Sequence, residues 1–222
     1  MRICVVFTKG PQVRFVSHLD LQRLFQRAFR RAKLPLAYSQ GFNPHPLVSF
    51  ATALSVGMTS RGEYLDVTLT EPISIPDFIS ACASQLPAGV EIAEAFDMGE
   101  SRKSLTSAMR SAEYEAAVEF SRPVPEEELI SSVNELLSGE IVVMKKIKGG
   151  IKPTDIRPMV KELSVLCSDG TAARFKVCGV LSAEGGLNPE MLLGELYKKL
   201  GVTGSAAVER TRIEMEREAL LP

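Results

Sequence analysis

An α+β protein of two tandem ferredoxin-like (βαββαβ) modules with antiparallel sheets is what this sequence predicts, and three observations carry that expectation. A length of 222 residues suits a pair of domains of roughly a hundred residues each. Strand-like and helix-like stretches follow one another as β-α-β-β-α-β, the split βαβ plan, and the plan restarts after a polar segment. With 45% hydrophobic and 24% charged residues the chain can fill ordinary globular cores, which excludes wholesale disorder and a disulfide-dependent miniprotein.

In the first module, residues 1–98, Arg2–Lys9 reads as a strand because β-branched and aromatic residues lead up to the Gly10-Pro11 break. A helix starts near Ser17, which forms a capping-box pattern with Asp20. Leu21, Leu24, Phe25, Ala28, Phe29 and Ala32 fall on one arc of that helix, Leu19 lies off it, and Pro35 closes it. Two strand-like runs follow, Leu47–Val56 and Glu63–Leu69, the second alternating polar with apolar residues. Pro76–Leu86 is the second helix, with Ile75, Phe78, Ile79 and Cys82 at helical spacing, and Val90–Phe96 the closing strand.

Residues 99–111, small and polar, read as the linker, with room for one helical turn. The second module, 112–217, opens on the alternating strand Glu113–Phe120 and a helix from Pro125 to Gly139 whose first turn is acidic. Ile141–Met144 is the next strand. Lys161–Cys167 and Ala172–Leu181 form a hairpin across Ser168–Thr171, Asn188 caps a helix through Leu200, and Ala207–Met215 is the last strand. Residues 145–160 are an insertion in this copy.

Four cysteines, at 4, 82, 167 and 178, lie too far apart in sequence for the spacing of a zinc site or an iron–sulfur cluster, and read as reduced core residues. No metal and no cofactor is expected. The sequence shows no membrane span and no signal-peptide pattern, so a cytoplasmic protein is expected.

Charge is the informative quantity. The whole chain carries −1, but residues 1–61 hold nine Lys or Arg against the single acid Asp20, a net +8, and the remainder carries −9. Such asymmetry points to a polyanion-facing region on an acidic body, or to a basic patch docked on that body. Arg23, Arg27, Arg30 and Arg31 cover the side of the first helix opposite its apolar arc, where planar bidentate donors suit phosphate; the alternative is a solvated face. After that helix comes an unusually long loop, Tyr38–Pro46, stiffened by Pro44 and Pro46 and given freedom by Gly41. Tyr38, Gln40, Asn43 and His45 suit stacking on an unpaired base and reading its edge. Alternatively, Tyr38 and Phe42 plug the core. Ser17 and His18, at the helix N-terminus, form a candidate anion site. His18 and His45 beside Tyr38 also suit metal-free RNA cleavage. In the insertion, Lys145, Lys146, Lys148 and Lys152, with Arg157 beyond, resemble a phosphate-contacting hairpin, although no P-loop ending is present.

The run Arg14-Phe15-Val16-Ser17-His18-Leu19-Asp20, with Arg30-Arg31-Ala32, Leu34-Pro35, the Tyr38–Pro46 loop, Ser49-Phe50, Gly62-Glu63-Tyr64 and, more loosely, Asp155-Ile156-Arg157-Pro158, resembles a bacterial radical-SAM-linked family of unknown function. Members of that family are encoded beside, or fused behind, a radical SAM protein. The resemblance implies a radical SAM protein as partner and, from the gene company of such proteins, an RNA-related role. This sequence has no CxxxCxxC triad with which to hold the radical SAM cluster itself. The combined expectation is a non-catalytic RNA-binding adaptor, acting on structured RNA rather than DNA or membrane. The alternatives are a metal-independent endoribonuclease using His18 and His45, and a protein-only binding subunit of the radical SAM enzyme.

Overall fold

Where β-branched and aromatic residues lead into Gly10-Pro11 the chain forms β1 (Arg2–Lys9), followed by α1 (His18–Arg31), β2 (Val48–Phe50), β3 (Thr59–Thr68), α2 (Ile75–Ala83), β4 (Ile92–Asp97) and a single helical turn, α3 (Leu105–Ala108). Then come β5 (Met109–Phe120), α4 (Glu126–Ser138), β6 (Val142–Ile147), β7 (Gly150–Asp155), β8 (Val160–Ser168), β9 (Ala172–Ser182), the two-residue β10 (Gly185–Gly186), α5 (Pro189–Leu200) and β11 (Gly204–Met215). The computed structural model describes residues 1–99, 103–147 and 150–216. Lys148 and Arg217, which the sequence reading included in a site and in a module boundary, lie outside the described residues. The architecture is mixed α+β, with mostly antiparallel strands and few helices.

Two compact units divide the chain: Met1–Arg110 together with the stretch from Arg212, and Ser111–Thr211. The last strand, β11, runs from the second unit into the first at Arg212. In the first unit β1 pairs antiparallel with β3 and with β4, and β3 pairs antiparallel with β2. Val67 of β3 lies between Ile3 and Val48, so the local order is β4-β1-β3-β2. In the second unit β9 lies between β5 and β8, with Val177 facing Tyr114 on one side and Leu163 on the other, both pairings antiparallel.

The first unit's core is built by α1 on the sheet. Leu21, Phe25 and Phe29 pack with Ile3, Val5 and Phe7 of β1, Leu65 and Val67 of β3, and Phe78 and Cys82 of α2. Leu24 and Ala32 are partly buried at its edge, so the apolar arc read from sequence is the packed face, and Leu19 off that arc is exposed. Each fully buried side chain of this size contributes about 1.5–3 kcal/mol. Ser17 caps α1 by accepting from Asp20 N–H, and Ser74 caps α2 in the same way through Asp77.

Three expectations need correction. The apolar run Leu47–Val56 is a strand only over Val48–Phe50; beyond it Leu54 and Met58 are buried from an irregular segment that turns at Gly57, whose φ of 95° suits glycine. Ile141–Met144 is not a strand of the second unit's main sheet. Val142–Ile147 pairs with Gly150–Asp155 as a separate two-stranded ladder, and β8 takes the place beside β9. Lastly, the described part of the 99–111 segment is packed rather than free: Leu105 and Ala108 are buried, and Thr106 Oγ1 donates to the Ala51 carbonyl at 2.9 Å.

The cysteines divide by position. Cys4 and Cys82 are buried, and burial pushes the Cys82 thiol up to about 12, which makes it unreactive. Cys167 is exposed on β8 beside exposed Leu166, at a shift of the β8–β9 register between Val165 and Cys167, and Cys178 is half-buried, contrary to a core role for all four. Among the described residues, no group of three or more His, Cys, Asp or Glu is placed to hold a metal ion, and no helix is long and apolar enough to cross a membrane.

Candidate nucleic-acid interface

The apolar arc of α1 fixes where its arginines go. With Leu21, Phe25 and Phe29 turned into the core, Arg23, Arg27, Arg30 and Arg31 are all exposed. Three of them, Arg23, Arg27 and Arg31, line a groove of about 600 Å³ whose opposite wall is Gln85, Leu86 and Pro87 from the α2–β4 connection. Val16 and Leu24 complete its apolar lining. Arg30 is not among the lining residues. Asp20, also in the groove, binds Arg23 at 3.0 Å, and Arg31 donates to Gln85 through Nε at 3.2 Å and to the Gln85 carbonyl at 2.5 Å. Hydrogen bonds from Ser17 and Arg23 hold the exposed Asp20 carboxyl below its ordinary range. Gln85, Leu86 and Pro87 carry no signal in the sequence, because they come from an element distant in the chain and reach α1 only through the fold.

The Tyr38–Pro46 loop is a narrow-necked projection. Tyr38 and Pro46 form an isolated antiparallel bridge, and Ser39 N–H donates to the His45 carbonyl at 2.9 Å. Across the neck Ser39 Oγ lies 2.9 Å from His45 Nδ1 and accepts from His45 N–H at 3.1 Å. Beyond it, Gln40, Gly41, Phe42, Asn43 and Pro44 are exposed, with Gly41 at φ 127°. Phe42 is fully exposed and Tyr38 is 43% exposed, so neither plugs the core. Sequence reasoning offers Phe42 only as a core plug; its setting between Gly41 and Asn43-Pro44 is the signal for an exposed loop tip. An exposed ring at a loop tip suits stacking on a base.

The expected anion site at the start of α1 is occupied from within the chain. Ser17 Oγ donates to Asp20 Oδ2 at 2.7 Å, which puts a carboxylate at the positive end of the helix. His18 is half-buried, with its ring edge-on to Phe50 at 5.4 Å. It borders a void of only about 10 Å³ with buried Lys9 and Glu63, too small for a ligand. The surroundings of His18 are thus Phe50 and Lys9, and those of His45 are Ser39 and the Asn43 carbonyl.

Desolvation first, and the charge of Lys9 second, hold the His18 pKa below its ordinary 6.5. The unfolded chain therefore binds a proton at a higher pH than the folded chain does. Stability that is intact at neutral pH is lost as pH falls below about 6.5 towards the folded value. His18→Gln is expected to flatten this part of the stability profile, and denaturant melts of both proteins between neutral and mildly acidic pH check it. An unchanged slope would place the pH dependence elsewhere.

The lysine hairpin is more structural than its charge suggests. Lys145 is half-buried with Nζ 3.9 Å from Met159 Sδ, while Lys146 and Lys152 are exposed. One face of the ladder presents Val142, Met144, Ile151 and Pro153 to solvent. Arg157 is committed: it donates to the Leu137 carbonyl at 2.6 Å and the Val160 carbonyl at 3.1 Å, which ties the hairpin base to the end of α4. Asp155 Oδ1 accepts from Ile141 N–H and Arg157 N–H, both at 2.9 Å. The Asp155–Pro158 run thus has a packing role.

Chains in several solved structures are similar, and for the three described next the identity is at a level that speaks to fold alone. A Cbf5-Nop10-Gar1 complex contains a chain matched at TM-score 0.56 and 16% identity, over 97% of this chain and 50% of that one. An archaeal box H/ACA sRNP Nop10-Cbf5 complex is matched at TM-score 0.52 and 15% identity, over 95% and 47%. An H/ACA RNP bound to a substrate RNA containing 2'-deoxyuridine is matched at TM-score 0.54 and 14% identity, over 99% and 50%. This chain thus spans about half the length of each. No curated protein matches it. The family model described as "uncharacterized protein conserved in bacteria" covers residues 2–189, and the chain belongs to that bacterial family, DUF2344.

Proposed function

We propose that this chain is a non-catalytic RNA-binding adaptor that works with a radical SAM enzyme. The observation that carries the reading is the alignment of Arg23, Arg27 and Arg31 along one groove, in a segment of net charge +8. Such a surface supplies the sequence-independent electrostatic term of nucleic-acid binding. The exposed loop supplies the rest: Tyr38 and Phe42 offer rings, and Gln40, Asn43 and His45 offer polar groups, to unpaired bases. Lys146 and Lys152 add exposed positive charge on the second unit. One of the solved structures with this fold is of an assembly bound to a substrate RNA, which favours the same class of ligand.

The radical SAM partner comes from the sequence resemblance. Division into tandem ferredoxin-like modules, residues 1–98 and 112–217, is likewise part of this proposal; it is supported by the order β4-β1-β3-β2 in one unit and β11-β5-β9-β8 in the other, each fitting the split βαβ plan. Cleavage by His18 and His45 would need both imidazoles on one phosphate. The half-buried setting of His18 against Phe50 favours a packing role instead.

Recovery of the tagged protein from a bacterial extract, with sequencing of bound RNA and mass spectrometry of bound protein, tests the adaptor. Enrichment of particular RNAs together with a radical SAM protein is expected. Protein partners without RNA, after nuclease-free washing, would move the arginines to a protein interface.

A further inference from the structure

We infer that the α1 groove takes a single unpaired RNA strand, with consecutive phosphates laid along Arg23, Arg27 and Arg31. The inference rests on the RNA reading above and narrows it. The three arginines recur every four residues, so each step rises about 6 Å along the helix and the set spans about 12 Å. A guanidinium on a flexible stem covers the offset of about 40° that each four-residue step adds around the axis. The ladder is therefore a row of planar donors at intervals suited to successive phosphates of one strand.

Two of the three are already oriented on the groove wall. Arg23 is held by Asp20 at 3.0 Å, and Arg31 by the side chain and carbonyl of Gln85, at 3.2 and 2.5 Å. Side chains ordered before binding cost less to order during it. Arg27 lies between them in the same groove.

The rest of the groove selects the form of the nucleic acid. Leu24, Leu86 and Pro87 line it with aliphatic surface. In a duplex the bases are stacked inside and only sugar and phosphate would meet that surface. An unpaired strand can turn its bases onto it. Arg30 stands about 100° from Arg31 and about 60° from Arg27 around the axis, closer to Arg23, and it is outside the lining, so it meets a strand in the groove less directly than the three in the row.

The test uses the full chain and two fluorescent probes: a short single-stranded RNA unable to fold on itself, and the same strand annealed to its complement. Anisotropy titrations at low and at physiological salt are expected to show the single strand binding about tenfold more tightly than the duplex. Arg27→Ala should weaken single-strand binding by about fivefold to tenfold, and Arg30→Ala by less than about twofold. Both substitutions are on the exposed face, and an unchanged melting curve confirms that each variant is folded. Duplex binding as tight as single-strand binding, or equal losses from Arg27→Ala and Arg30→Ala, would overturn the strand assignment and leave the RNA reading standing. Binding of neither probe at low salt would overturn the RNA reading itself.

Discussion

Phe25→Ala is expected to destabilise the first unit by about 3–5 kcal/mol, the range for removing a fully buried aromatic ring. Phe25 has no exposed surface, and its ring lies 4.6 Å from Phe7, 5.7 Å from Phe29 and 5.7 Å from Phe50. These neighbours come from β1, from α1 itself and from β2. The void left behind therefore faces a rigid strand on one side and cannot close by a movement of the helix alone. Since whole domains have net stabilities of about 5–15 kcal/mol, the loss is a large part of what holds the unit together. Urea unfolding followed by a probe in the first unit should show its midpoint falling with little change in slope. A loss below about 1 kcal/mol would mean that α1 is not seated on the sheet as described.

That packed face was legible in the sequence, and so was the exposed one, because a helical period of 3.6 fixes both at once. Strand β1 was read with its full extent, because Gly10-Pro11 ends it by local chemistry. The α1 cap at Ser17 was equally local, and Asp20 served as its partner. What the sequence hid were relations between distant segments. The Leu47–Val56 run was apolar enough to resemble a continuous strand, yet Leu54 and Met58 are buried from an irregular path, and burial without regular pairing leaves no period to detect. Among the described residues Val142–Ile147 and Gly150–Asp155 pair with each other in a separate ladder, and a short apolar run carries no sign of which sheet it joins.

The candidate site divides along the same line. The arginine row and the loop were visible as residue types. The groove was not, because Gln85, Leu86 and Pro87 acquire their place only through the packing of α2 and β4 in the first unit. Charge alone also does not show that Arg157 donates to the carbonyls of Leu137 and Val160, which come from other segments. The Ser17–Asp20 cap, legible in the sequence, also brings the Asp20 carboxylate to the N-terminus of α1, where an external anion would otherwise bind.

Replacing Arg23, Arg27 and Arg31 together by alanine is the second large expected effect. Each phosphate contact made to a single strand contributes a slope of about 0.7 in log affinity against log salt. Three lost contacts should therefore flatten the slope by about 2, and at about 0.1 M salt they should weaken binding by about a hundredfold. The loss should be nearly the same for RNAs of different sequence, since phosphate contacts carry no base information. Folding should be weakened only modestly, because all three side chains are exposed, the ion pair of Arg23 with Asp20 is in the class worth about 1 kcal/mol or less, and the two hydrogen bonds of Arg31 to Gln85 are at the surface.

A salt titration of RNA affinity for the native chain and this triple variant is the most direct measurement of whether the α1 groove is a nucleic-acid interface. Two straight lines are expected whose slopes differ by about two units and which converge towards high salt, where the electrostatic contribution vanishes. Two lines of the same slope and height would contradict it and assign the arginine row to a protein surface.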